Sequence, residues 1–108
     1  IHTGMPHYGV RIGSYTSIGH SAIIHGCTIG SYCIIGMGAI IMNGAEISDH
    51  CIVAAGSLIS EHKSFPPYSL ILGSPARVIR PLTQQEIQRI DENAQTYVQS
   101  AQEQLDLL

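Results

Sequence analysis

Aliphatic residues recur along this chain at an interval of six: Ile12, Ile18, Ile24, Ile29, Ile35, Ile41, Ile47, Val53 and Ile59. Every step is six except that from Ile24 to Ile29, which is five. Four positions after each of the first eight comes a small side chain, at Thr16, Ala22, Thr28, Cys33, Ala39, Ala45, Cys51 and Ser57. Glycine directly follows the aliphatic at Gly13, Gly19, Gly30 and Gly36. This period matches neither a helix nor the alternation of a hairpin sheet, so it predicts one short strand and one tight turn per repeat. The aliphatic side chain then faces inward and the small residue fits a crowded corner. Phe65-Pro66-Pro67-Tyr68 breaks the repeat, and residues 70–76 predict an exit strand and turn. Thr83-Gln84-Gln85-Glu86 reads as a capping box. Ile87, Ile90, Ala94, Tyr97, Ala101, Leu105 and Leu108 follow at helical spacing, which predicts a terminal amphipathic helix of about 25 residues. We expect it to pack back along the repeat, with partner binding as the alternative. The expected division is a repeat unit with its exit segment over residues 1–82 and a helix over 83–108.

Three such turns close one coil of a left-handed β-helix, and in this the ladder over residues 12–59 resembles the hexapeptide-repeat family. The expected fold is mainly β: a left-handed parallel β-helix with a C-terminal α-helix. One coil alone exposes its apolar interior, and only stacking buries it. Each buried Ile contributes roughly 1.5–3 kcal/mol before entropy is subtracted, so the ladder is the main expected source of stability. Residues 12–59 make fewer than three coils, and the open apolar end near Ile1 leads us to expect upstream coils. Residues 73–80, Gly-Ser-Pro-Ala-Arg-Val-Ile-Arg, resemble the G-x-P-A-[KR]-x-x-R exit of hexapeptide proteins, transferases included. That motif supports the fold and says little about activity.

Composition narrows the partners. Ile supplies 17 of 108 residues, hydrophobic residues 44% and charged residues 12%, without any run long enough for a membrane helix. The apolar content is also too high for a disordered chain. A net charge of -3 gives no electrostatic footprint for nucleic acid or anionic lipid. No Asp, Glu, Lys or Arg occurs from residue 12 to residue 45, which implies burial or contact with another subunit. The first residues lack the basic and apolar regions of a signal peptide. Cys27, Cys33 and Cys51 are odd in number and form no CxxC, which favours reduced thiols and a cytoplasmic setting. Cys33 and Cys51 lie 18 residues apart, one whole coil, in the small-residue slot, so they read as packing residues. Cys27, within the shortened step, is read in the same way.

Histidine carries the candidate chemistry. His20 and His25 flank the shortened step, and since inward positions are taken by Ile18, Ile24 and the small residues, both rings should face outward. Outward histidines in a charge-free stretch fit a surface covered by a second subunit, with a metal between. His7, His50 and His62 have no such context and read as surface residues.

Gly19-His20, then His25-Gly26-Cys27, Ile29-Gly30 and Ile35-Gly36-Met37-Gly38-Ala39 resemble the γ-class carbonic anhydrase family, and Ile1-His2 is similar to its earlier ligand segment. The resemblance runs from residue 1 to about residue 100. It implies a homotrimer with one zinc or iron ion per subunit, bound between subunits by three histidines. Carried over, His2 and His25 come from one subunit and His20 from its neighbour. The implied reaction is reversible hydration of CO2 to bicarbonate by metal-bound hydroxide at the trimer interface. Three neutral imidazoles leave a dication its full charge and an open position for water, which then ionises near pH 7, a property for which carbonic anhydrase zinc is the standard example. Tyr97 and Gln99 are similar to the family's metal-proximal Tyr and Asn, which makes Tyr97 the implied catalytic residue; its spacing suits a core position equally. Met5 stands where the best-known member has a glutamate, and no carboxylate lies between His2 and His20. The upstream Arg, Asp and Gln residues of that family fall before Ile1. Metal binding is therefore better supported than fast hydration. Two other readings stay open: a hexapeptide acyltransferase using acyl-CoA with a single histidine base, and a non-catalytic trimeric scaffold.

Overall fold

The computed structural model describes residues 9–106, with side chains as far as residue 95. Ten two-residue strands run in sequence: β1 (Arg11–Ile12), β2 (Ser17–Ile18), β3 (Ile23–Ile24), β4 (Thr28–Ile29), β5 (Ile34–Ile35), β6 (Ile40–Ile41), β7 (Glu46–Ile47), β8 (Ile52–Val53), β9 (Leu58–Ile59) and β10 (Ser64–Phe65). Two longer strands, β11 (Ser69–Gly73) and β12 (Ala76–Pro81), precede the helix α1 (Gln84–Asp106).

Each of β1 to β8 pairs in parallel with the strand three places on, which sorts the coils into three faces: β1-β4-β7-β10, β2-β5-β8-β11 and β3-β6-β9. The chain is thus a left-handed parallel β-helix of about three turns. The second residue of each of the ten short strands points inward, and with Ile71 of β11 they build three columns: Ile12-Ile29-Ile47-Phe65, Ile18-Ile35-Val53-Ile71 and Ile24-Ile41-Ile59. From Ile24 to Ile71 these rungs are buried, and together with the corner residues Cys33, Ala39, Ala45 and Cys51 they form one core.

Two local expectations need correction. Phe65 does not end the repeat: it stacks on Ile47, and Ile71 follows six residues later on Val53. The prolines are tolerated because the residue after a rung donates its N–H to the next coil, as Gly13 does to Ile29 and Gly30 to Ile47. Pro66 follows the last rung of its column, so it has no such bond to lose. Secondly, Thr28 is exposed, and the corner slot before Ile29 is filled by Cys27, which is buried. The shortened turn removes a residue ahead of the slot, so the slot must be counted back from the next rung rather than forward from the last.

The last rungs are followed by the β11–β12 antiparallel hairpin, which leads into α1. Thr83 Oγ1 accepts from the Glu86 N–H at 3.1 Å while Glu86 Oε1 accepts from the Thr83 N–H at 2.8 Å, the reciprocal capping box. Ile90 and Ala94 are buried, and Asn93 Nδ2 donates to Ser17 Oγ at 2.6 Å, which seats the helix on the β2 face. Among the described residues no helix is long and apolar enough to cross a membrane.

The cap makes the helix acid-sensitive. Arg80 donates to both Glu86 carboxylate oxygens, at 2.7 and 3.1 Å. The guanidinium first, and the Thr83 N–H second, hold the Glu86 carboxyl down to about 2, against an ordinary 4.5. A depressed folded-state value means that this stabilisation is complete above the ordinary value and is lost as pH falls through the folded one. Helical circular dichroism should therefore decline between pH 4.5 and about 2. A Glu86→Gln protein should lose that acid transition; an identical decline in the variant would refute the assignment.

Candidate metal centre

His20 and His25 occupy the two ends of strand β3. His20 lies in the corner between the β2 and β3 faces and is exposed; His25 lies in the corner between β3 and β4 and is half-buried. Both rings stand outside the helix because the inward places of this segment belong to Ile18, Ala22 and Ile24. The Nδ1 of His25 makes a short contact, donating to Asn43 Oδ1 at 2.6 Å.

Between the two histidines runs an apolar strip, made by the outward residues Ile23, Ile40 and Leu58 of β3, β6 and β9. Ile23 is 50% exposed, and Met37, in the same corner as His20, is 61% exposed. The charge-free stretch of sequence contributes Ile23, Met37 and Ile40 to this surface, and Leu58 extends it beyond that stretch.

The described residues hold no group of three His, Cys, Asp or Glu side chains able to bind a metal. What the described residues do offer is two outward imidazoles, one of them held in a defined orientation. Neutral nitrogen donors of this kind suit a zinc-like ion. His2 lies outside the described residues, and Tyr97 falls within α1 beyond the last described side chain.

The cysteines take no part. Cys33 Sγ donates to Ser48 O at 3.1 Å and Cys51 Sγ to Pro66 O at 3.2 Å. Burial pushes the Cys33 thiol up to about 11 and raises Cys27 and Cys51 as well. Thiols held protonated in this way are neither nucleophiles nor ready metal ligands at neutral pH.

Three features were not read from the sequence. Asn43 is one: it stands one residue beyond Met42, the coil equivalent of His25, so no regular interval points to it. The second is an open cleft of about 440 Å³ against Gly26 and Gly44, bordered by Arg11, Thr28, Glu46 and His62. The third is a stack of Tyr15, Tyr32, His50 and Tyr68, with ring centroids 5.2, 5.0 and 4.8 Å apart, whose histidine sits 3.7 Å from Asp91 of α1. Successive coils bring these residues into register, so His50 is half-buried rather than a plain surface residue.

This coil geometry and its corner chemistry define a hexapeptide-repeat protein. The family model described as bacterial transferase hexapeptide (six repeats) matches residues 9–41 and 26–61. Over 91 residues the chain is 52% identical to the "Probable carbonic anhydrase" of Methanocaldococcus jannaschii, covering 84% of this chain and 57% of that protein. It is 41% identical to "Gamma carbonic anhydrase 2, mitochondrial" of Arabidopsis thaliana, covering 84% of this chain and 33% of that one. A hexapeptide transferase family protein from Anaplasma phagocytophilum superposes with a TM-score of 0.84 at 35% identity, covering 94% of this chain and 58% of that one. The chain belongs to the γ-class carbonic anhydrase-like family of hexapeptide-repeat proteins. It spans about half the length of the curated relatives that it matches, 57% and 33% for these two.

Proposed function

We propose that this chain assembles as a homotrimer whose subunit interfaces each hold a zinc-like ion between His2 and His25 of one copy and His20 of the next, and that the assembly hydrates CO2 reversibly to bicarbonate. The observation that carries the reading is the placement of His20 and His25 at the two edges of one uncovered apolar strip. A second copy laid on Ile23, Ile40 and Leu58 would remove this strip from water and bring unlike edges together. Isologous or cyclic pairing is the ordinary way for such a patch to be covered. The chemistry an ion supplies there is acidification of a water to near pH 7. The imidazoles contribute neutral donors, and the apolar strip excludes bulk water from the interface. Tyr97 is assigned a place beside the reacting atoms. The three buried, unpaired cysteines suit a reducing compartment, the cytoplasm.

A second reading, acyl transfer from acyl-CoA, is favoured by the similarity to the hexapeptide transferase family protein. Metal analysis, stopped-flow CO2 hydration and thermal melts with CoA on the same full chain separate the readings. We expect about one zinc per chain, hydration lost on chelation, and no CoA-dependent shift in melting. Stabilisation by CoA without metal would support acyl transfer instead. Bound metal with background hydration would leave a trimeric metal-binding scaffold.

A further inference from the structure

The corner that carries His25 is one residue shorter than the same corner one coil later. Only His25 and Gly26 separate the rung Ile24 from the corner residue Cys27, whereas Met42, Asn43 and Gly44 separate Ile41 from Ala45. Backbone pairing identifies the residue that is missing. His25 N–H donates to Ile41 O and Met42 N–H to Ile59 O, so His25 and Met42 are equivalent. Gly26 and Gly44 are the positive-φ residues of their corners, at 55° and 73°, and each directly precedes its buried corner residue, Cys27 and Ala45, so they too are equivalent. Asn43 therefore has no counterpart in the coil that carries His25. Its side chain meets the neighbouring imidazole instead, with Oδ1 2.6 Å from Nδ1.

An amide oxygen accepts and cannot donate, so the proton of this contact resides on Nδ1 and the ring lone pair on Nε2. A partner on one imidazole nitrogen sets which nitrogen can ligate and holds the ring at a fixed rotation. We infer that Asn43 is the positioning residue of His25: its Oδ1 fixes the Nδ1–H tautomer and makes Nε2 the nitrogen that donates to a metal. The shortened step is what allows this contact, since a full-length corner would place another residue at the level of Asn43. The tautomer stands on the hydrogen bond alone, while its consequence for metal rests on the proposed function.

The test uses the full chain labelled with 15N at histidine. Two-bond 15N–1H correlation spectra of the zinc-free protein read the tautomer of each ring, and competition with a chromophoric chelator reads zinc affinity. The His25 ring should be Nδ1–H in the parent protein and in Asn43→Asp, whose carboxylate accepts the same bond. In Asn43→Leu and Asn43→Ala it should pass to Nε2–H or a mixture; the alanine variant covers the case in which leucine disturbs the corner. Zinc affinity should fall roughly 10–100-fold in both and recover in Asn43→Asp. An Nδ1–H ring retained without Asn43, or a changed tautomer with undiminished zinc affinity, would overturn the inference. A tautomer that follows Asn43 in a protein that takes up no zinc would uphold the positioning and sink the metal-dependent function.

Discussion

Full-length His20→Ala protein is expected to fold as the parent does and to hold no zinc. His20 is exposed and contributes nothing to the core, so its removal should change stability by no more than about 0.5 kcal/mol. Losing a direct donor should cost more than the roughly 10–100-fold that follows loss of a group hydrogen-bonded to a ligand. CO2 hydration should fall to background with the metal. His25→Ala should behave likewise, although its half-buried ring and its bond to Asn43 make some loss of stability expected as well. The two variants together make a sharper test than either alone. If the donors come from neighbouring subunits, mixing His20→Ala with His25→Ala chains recreates intact interfaces wherever the first supplies His25 and the second supplies His20. Random mixing restores about a quarter of the sites in a cyclic assembly. Recovery of zinc and hydration toward that level is the expected result. Full zinc occupancy in His20→Ala alone would end the assignment.

The repeat made most of the architecture legible, because a period of six with inward aliphatics is a property of local sequence. Strand positions and inward rungs from Ile12 to Ile59 could be placed by counting. Counting fails where the interval changes or where bulk varies: it gives Thr28 the slot that Cys27 fills, and it takes the aromatic Phe65 beside two prolines for an ending rather than a rung. The histidines were legible as outward residues for the same local reason. Asn43, the Tyr15-Tyr32-His50-Tyr68 stack and the cleft beside Arg11 were not, because each depends on which residues one coil apart come into register. That register is visible only once the shortened corner has been placed.

Adjacent residues of a single strand offer the largest expected contrast in stability. Ile24 points into the core and is fully buried, and its neighbour Ile23 points outward and is 50% exposed. The same division holds in β6, where Ile41 is fully buried between Ile24 and Ile59. Truncating Ile41 to alanine removes a rung with apolar contacts above and below. Coils held by parallel ladder bonds keep a spacing of about 4.8 Å, so the neighbouring rungs cannot move in to fill the space. The cost should therefore lie toward the upper part of the roughly 2–5 kcal/mol known for buried Ile→Ala changes. Ile23→Ala should cost about 0.5 kcal/mol or less within one chain. Its effect should appear instead in assembly, since Ile23 belongs to the strip on which a second copy is proposed to sit. Denaturant unfolding measured beside sedimentation separates these outcomes: Ile41→Ala lowers the unfolding midpoint, and Ile23→Asp shifts the oligomer toward monomer. Equal losses of stability at the two positions would contradict the division between an inward column and an outward interface on which both the fold and the proposed site depend.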